Sequence, residues 1–237
     1  VTGTQLTLSG VISETSAFGI TKSDSGTLSL SATNTYTGAT TVSGGTLQIS
    51  GSGKFGSTGS YGGAISIASG AVLQHSSSSS QTLYGTISGS GSVVKDTSVT
   101  STLSLTTSNT YSGGTFVKAG TLYISYAAGA GASTSAITLG DTSGSNAAIL
   151  SVANTITVPN PIALNTNGAL SVQTAGGWAI TFSGGVTGTN DLTINASANT
   201  ITFSTNSVNN AGKVTNAGSG YLVTISSGIG SNVTEII

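Results

Sequence analysis

Few side chains in this sequence could support catalysis. The only histidine, His75, precedes a serine run, Ser76–Ser80. A serine–histidine–acid triad would need this histidine, but no G-x-S-x-G nucleophile motif accompanies it, since the nearest match, Gly131–Ser135, lacks the final glycine. The pattern favours a histidine in a surface turn over a catalytic base.

The acidic residues are also few, and no arginine accompanies them. A pair of carboxylates could cleave a glycosidic bond, but a site for acidic sugars would also need bases. Asp24 follows Lys22 and Asp96 follows Lys95, which predicts a solvated ion pair at an edge of the fold. The segment 141–146 has too few carboxylates for a calcium loop. The acids are Glu14, Asp24, Asp96, Asp141, Asp191 and Glu235.

Composition excludes several classes of protein. There is no cysteine, so disulfides and thiolate metal sites are impossible, and no cofactor is implied. Charged residues make up only 5% of the chain, and five scattered lysines cannot form the basic face that nucleic acid requires. No apolar run reaches the ~18 residues of a membrane span, so no membrane insertion is expected.

An internal repeat dominates the sequence. Residues 27–50 and 102–125 align without a gap and are identical at 15 of 24 positions. The similarity extends to copies at about 8–50 and 83–125, with a degenerate copy at about 182–225. Because such a unit is apolar on one side only, its copies must stack. The spacing of 75 residues between Leu28 and Leu103 predicts about three coils per repeat and about ten coils in all.

Short alternations of apolar and polar residues recur between turns rich in Gly, Asn and Ser, whereas helix signals are nearly missing. This pattern predicts an all-β chain: a single right-handed parallel β-solenoid domain over residues 1–237. A β-sandwich or jelly roll is the alternative. The predicted lumen-facing residues are Leu28, Leu30, Leu47, Ile49, Leu103, Leu105, Leu122 and Ile124.

The repeat also contains an N-T-Y-x-G turn, with equivalent residues in both copies. We expect Asn34 either to stack on asparagines of neighbouring coils or to close an Asx-turn. Glycines such as Gly38, Gly44 and Gly45 would permit positive φ at the corners. The predicted structural turn residues are Asn34, Tyr36, Gly38, Asn109, Tyr111 and Gly113.

The pattern T-L-x-L-x-x-x-N-T-Y-x-G-x-T-x-V-x-x-G-T-L-x-I, from Thr27 to Ile49 and again from Thr102 to Ile124, resembles the autotransporter-associated β-strand repeat. That repeat is found in passenger domains of bacterial surface and secreted proteins. The resemblance implies a β-helix located outside the cell or at the bacterial cell surface. It does not imply one particular activity.

The predicted function is that of a non-enzymatic extracellular structural protein. The low charge and uncapped strand-like ends favour end-to-end association with copies of itself into a filament or matrix. Two alternatives stay open: a monomeric passenger stalk or adhesin, and a β-helix that binds or cleaves glycans, whose Trp178 and tyrosines either stack on sugars or cover apolar edges. The predicted subunit-end contacts are Leu6, Leu8, Leu222, Ile225 and Ile236.

Overall fold

The computed structural model describes residues 4–237, which form short β-strands and no helix. The strands are short, as the brief apolar alternations require. They are β1 (Gln5–Leu8), β2 (Ile20–Lys22), β3 (Thr27–Leu30), β4 (Thr33–Asn34), β5 (Thr40–Val42), β6 (Thr46–Ile49), β7 (Lys54–Phe55), β8 (Ser60–Tyr61), β9 (Ile65–Ile67), β10 (Val72–His75), β11 (Gln81–Leu83), β12 (Ile87–Gly89), β13 (Ser92–Lys95), β14 (Thr102–Leu105), β15 (Thr115–Val117), β16 (Gly120–Ile124), β17 (Ile137–Leu139), β18 (Ala148–Val152), β19 (Thr157–Val158), β20 (Ile162–Leu164), β21 (Leu170–Thr174), β22 (Ile180–Phe182), β23 (Val186–Gly188), β24 (Leu192–Asn195), β25 (Ile201–Phe203), β26 (Gly212–Asn216), β27 (Val223–Ile225) and β28 (Val233–Ile236).

The strands stack into three faces, which follow one another along the chain in the cyclic order 1, 2, 3. Face 1 is the sheet β1-β3-β6-β10-β13-β15-β17-β20-β23. Face 2 is the sheet β8-β11-β14-β16-β18-β21-β24-β26-β28. Face 3 consists of two sheets, β2-β5-β9-β12 and β19-β22-β25-β27. The small β4-β7 pair lies outside these faces: in chain order β4 comes between face 1 and face 3, and β7 comes between face 1 and face 2.

All the paired strands are parallel, and the chain is a β-solenoid of about 11 turns. Strands ~4.8 Å apart give a rod about 50 Å long. The coils differ in length: one runs from Leu28 to its partner Leu47, and a longer one runs from Ile124 to its partner Val152. The solenoid prediction is confirmed, and the jelly-roll alternative is wrong because it requires antiparallel sheets.

The core is a continuous column of apolar side chains inside the coils. On face 1, Leu30, Ile49 and Leu139 occupy equivalent inward positions and are almost completely buried. The residues between them point outward, because successive side chains of a strand alternate between its two sides. Burial therefore comes from stacking: no coil could shield its inward side alone.

The two repeat copies occupy different faces, contrary to the expectation of three coils per repeat. Leu28 lies on face 1, and three coils further along the same face its equivalent position is Val93. Leu103, the repeat partner of Leu28, comes one strand later and lies on face 2. A repeat thus spans three coils plus one face, so the second copy is rotated by one face about the rod axis.

Exposure increases at both ends of the rod. Leu28 is only half-buried because a single strand, β1, lies beyond it, and Leu6 in that strand is 45% exposed. At the other end, Leu222 and Ile236 are 65% and 62% exposed. None of residues 4–237 belongs to a helix able to cross a membrane.

Candidate functional site

The two turn asparagines each join three successive coils. The Asn34 Oδ1 oxygen accepts from the Ile12 backbone N–H at 3.0 Å, and its Nδ2 donates to the Lys54 carbonyl at 3.3 Å. Asn109 accepts from Ile87 N–H at 2.8 Å and donates to the Gly129 carbonyl at 2.7 Å. The buried amides bond to backbone groups of the coils on either side rather than to other asparagines.

The two turn tyrosines are completely buried, and their hydroxyls are satisfied inside the fold. Tyr36 bonds to the Thr40 hydroxyl at 2.9 Å, and Tyr111 bonds to the Thr115 hydroxyl at 2.6 Å. Thr40 also contacts the Tyr61 hydroxyl, which donates to the Gly38 carbonyl. Burial raises the pKa of these phenols above its usual range, so the phenols stay protonated and serve as fixed hydrogen-bonding groups.

The turn glycines are required for close approach between coils. A Cβ at Gly38 would lie 2.2 Å from the Phe18 carbonyl oxygen, and one at Gly113 would lie 2.5 Å from the backbone of Gly91. Of the glycines expected at positive φ, only Gly45 adopts it, at 61°. The expectation for Gly38 and Gly44 was wrong, and at Gly38 what matters is the space between coils.

Lys22 and Lys95 do not form solvated ion pairs, because both side chains are buried. The Lys22 ammonium donates to the carbonyls of Ser23, Asp24 and Gly44 at 2.6–2.9 Å. Each lysine closes the turn that follows its strand and holds it to the coil beyond. The Lys95 ammonium donates to the carbonyls of Asp96, Thr97, Ser98 and Ala119.

His75 is not a surface residue: its side chain lies in the lumen at 2% exposure. It stacks between Ile49 and Lys95 on adjacent strands of face 1. Burial and the Lys95 charge lower the pKa of His75 to about 4, so its imidazole is neutral at pH 7. A neutral ring sealed among coils cannot act on a substrate from solvent.

The acidic residues are dispersed along the rod. Glu14 accepts hydrogen bonds from Thr37 and Phe18, which hold its pKa below the usual value. Asp96 accepts from Gln74 and Ser76, and Asp141 pairs with Lys118 at 3.5 Å. Within residues 4–237, no group of three or more His, Cys, Asp or Glu residues could hold a metal ion.

One pocket of about 200 Å³ lies where the chain passes from face 2 to face 3. Its walls are tyrosine rings, hydroxyls and bare glycine backbone. The Tyr84 ring covers Gly62 so closely that a Cβ there would lie 2.2 Å from it. The lining residues are Tyr36, Thr37, Gly56, Ser60, Tyr61, Gly62, Gly63 and Tyr84.

A family model described as the passenger-associated-transport-repeat matches residues 20–49 and 100–124. The two matched segments, one in each copy of the internal repeat, are therefore similar to this family of repeats. The match and the solenoid fold together confirm the resemblance to passenger-type β-helix proteins. No curated protein and no solved structure gave a significant match.

The two matched segments contain three of the four polar side chains that join coils, and Lys95 lies outside them. Asn34 and Lys22 lie in the first matched segment, and Asn109 lies in the second. Apart from half-buried Leu28, the residues predicted to face the lumen are buried at 0–1% exposure. Among the predicted end contacts, Leu8 and Ile225 are partly buried, whereas Leu6, Leu222 and Ile236 are exposed.

Sequence reasoning missed two features of this repeat protein. Tyr61 completes the buried hydroxyl chain with Tyr36, although it lies outside both matched segments. Its alternation with Ser60 is a weak strand signal that the sequence does offer. Tyr84 at the pocket has no such signal, because only the stacking of coils brings it over Gly62.

Proposed function

We propose that this chain is a non-enzymatic structural segment of a secreted or surface-exposed protein, and that copies associate end to end by continuing the stack of coils. Passenger repeats are generally structural or adhesive, which supports the structural role. The dispersed acids and the sealed His75 offer no catalytic arrangement among residues 4–237.

The observation that carries the end-to-end proposal is the open strand edge at each end of the rod. Among residues 4–237, β1 pairs with one strand, β3, and β28 pairs with one strand, β26. The unpaired backbone groups of these strands can hydrogen-bond to a further parallel strand. Because the two ends differ, such a contact is head-to-tail and generates an open filament.

The exposed side chains of the end coils suit this contact. Leu6 and Val11 lie at one end, and Leu222, Ile229 and Ile236 lie at the other. Ile236 pairs with Val214 and Ile229 with Val208, and both of these partners inside the rod are buried. Stacking two copies would therefore remove apolar surface from water while pairing strand edges. No ion pair is needed for this association.

Negative-stain electron microscopy of concentrated protein tests the proposal, together with sedimentation velocity. Filaments with an axial repeat of about 50 Å are expected, one rod length per subunit. Ile236→Lys should shorten or abolish them, whereas Val99→Lys, at an exposed side position, should not. Monomeric rods at all concentrations would overturn the proposal and favour a monomeric stalk or adhesin.

A further inference from the structure

Exposed aromatic side chains gather at one edge of the rod, where face 2 passes to face 3. Tyr84, Tyr126 and Trp178 are 57%, 49% and 47% exposed, and Tyr221 is 46% exposed. Apart from Val99, the other large exposed apolar side chains within residues 4–237 lie in the first two or last two coils. We name these four residues the aromatic edge.

The order of the strands places the aromatic edge on alternate coils, although its members lie at different distances past their strands, from one residue for Tyr84 to five for Tyr221. Tyr84 follows β11, Tyr126 follows β16, Trp178 follows β21 and Tyr221 follows β26. The order of face 2 inserts one strand between each pair, namely β14, β18 and β24. With strands ~4.8 Å apart, successive aromatic positions are about 9.6 Å apart along the rod.

Polar side chains occupy the same edge in the intervening coils. Asn154 follows β18, and Asn199 follows β24. Their Nδ2 groups donate to the carbonyls of Ser125 and Gly177, at 2.8 and 3.0 Å, which ties each amide to the neighbouring coil. After β14 the connection begins with two threonines, at positions 106 and 107. The edge therefore alternates between an aromatic ring and an amide or hydroxyl group.

The edge is also uncharged. From residue 35 onward, no connection between face 2 and face 3 contains Asp, Glu, Lys or Arg, and the one acid near this edge, Glu14, is bonded to Thr37 beside the pocket. The charged residues Lys118, Asp141 and Asp191 lie between faces 1 and 2 instead. An anionic polymer such as nucleic acid or an acidic polysaccharide would find no bases here. The partner that fits is neutral, hydroxyl-rich and extended.

We propose that the aromatic edge binds an extended, uncharged β-1,4-linked glycan lying along the rod. In such a chain every second sugar presents the same face, and one disaccharide is about as long as two coils. The apolar C–H face of alternate sugars would stack on the rings, because tyrosine and tryptophan combine an apolar surface with a polar tip. The amides between the rings would bond to sugar hydroxyls.

The pocket beside Tyr84 supplies a further feature of this surface. Tyr84 forms one wall, and the Thr37 and Ser60 hydroxyls are among the lining groups. A pocket of about 200 Å³ has room for one sugar ring. The glycan would thus extend along the edge with one sugar seated at the pocket. This binding does not depend on end-to-end association.

Retention of the full chain on insoluble cellulose and chitin tests the proposal, followed by calorimetric titration with oligosaccharides of increasing length. Affinity should rise with each added disaccharide and level off at about seven sugars, which reach all four rings. Trp178→Ala and Tyr126→Ala should each weaken binding roughly fivefold or more, as loss of an aromatic anchor does. Alginate, an anionic polymer, should not be retained.

Phe116→Ala is the matched control, since Phe116 is a half-buried aromatic residue on face 1. It should leave retention unchanged, and circular dichroism should show all three variants folded. Absence of wild-type retention on both glycans would overturn the proposal. So would equal losses in Phe116→Ala and Trp178→Ala. A change in sedimentation coefficient, without an effect on glycan retention, would show instead that the edge contacts a second copy.

Discussion

At the scale of single residues, the buried polar side chains hold neighbouring coils together. Asn34, Asn109, Lys22 and Lys95 each bond to backbone groups of an adjacent coil. Strand pairing alone leaves the backbone groups at the corners without partners, and a buried unpaired group is costly. These side chains supply the missing donors and acceptors.

Asn109→Ala should lower the free energy of unfolding by about 1–3 kcal/mol, since it leaves the Ile87 N–H and the Gly129 carbonyl without their partner. Chemical denaturation followed by circular dichroism measures this. Asn146→Ala changes an exposed asparagine and should stay within about 0.5 kcal/mol of wild type. Equal effects of the two substitutions would contradict the role assigned to Asn109.

Lys95→Met should also destabilise the fold, by about 1–3 kcal/mol, because methionine fills the lumen but cannot donate to the carbonyls of Thr97 and Ala119. Burial lowers the pKa of Lys95 to about 8, and the nearby Asp96 charge partly offsets this effect. Lys118→Met, at a lysine whose side chain is 40% exposed, is the control and should leave the free energy of unfolding nearly unchanged. If Lys95→Met left the free energy of unfolding unchanged, the hydrogen bonds from Lys95 to these carbonyls would contribute nothing to stability.

His75 should make the solenoid sensitive to mild acid. Its folded pKa of about 4 lies below its ordinary value of 6.5, so the unfolded chain binds the proton first. The free energy of unfolding is therefore unaffected by His75 above pH 6.5 and falls by about 3 kcal/mol as the pH drops from 6.5 towards 4. His75→Leu should remove this loss. Parallel pH profiles of unfolding free energy for the two proteins would refute the prediction.

At the scale of elements, the close approach of corners limits which residues the turns accept. Gly113→Ala places a Cβ 2.5 Å from the Gly91 backbone in the preceding coil, so the coils must separate locally. We expect a loss of about 1–3 kcal/mol, typical of overpacking, measured by thermal or chemical unfolding. Gly10→Ala meets nothing within 4 Å and should be tolerated. Tolerance at both positions would show that the corner relaxes freely.

At the scale of the whole molecule, stability should be a sum over coils and their interfaces. Deleting one complete coil, Leu150–Ser171, joins Ile149 to Val172, which occupies the position equivalent to Leu150 one coil further on. The shortened rod should fold with strand content preserved and a smaller denaturant m-value, because less surface is exposed on unfolding.

The matched control for that deletion removes half a coil, Leu150–Asn160. It joins face 2 to the start of face 1, so every later strand would lie on the wrong face. This variant should aggregate or remain unfolded, as circular dichroism and light scattering would reveal. If both deletions folded equally well, the coils would not be the units of stability.

Much of the architecture followed from the sequence alone. Alternation such as Leu103-Ser-Leu105 predicted short strands, and the gap-free repeat predicted stacking, because one-sided apolar units cannot fold singly. The turn residues Asn34 and Tyr36 could be located from the second copy. Their bonding could not, because Asn34 contacts Ile12 and Lys54 only across coils.

The tertiary structure decided which face or corner of the coil each residue occupies. Coils differ in length along the rod, so sequence distance does not reveal which corner a residue occupies. Tyr84, Tyr126, Trp178 and Tyr221 have no regular spacing in the sequence, yet strand register brings them to one edge. The same register buries His75 and turns the second repeat by one face. The sequence determined that coils form and stack through local alternation, whereas the accumulated coil lengths, a property of the whole rod, determined which side chains meet.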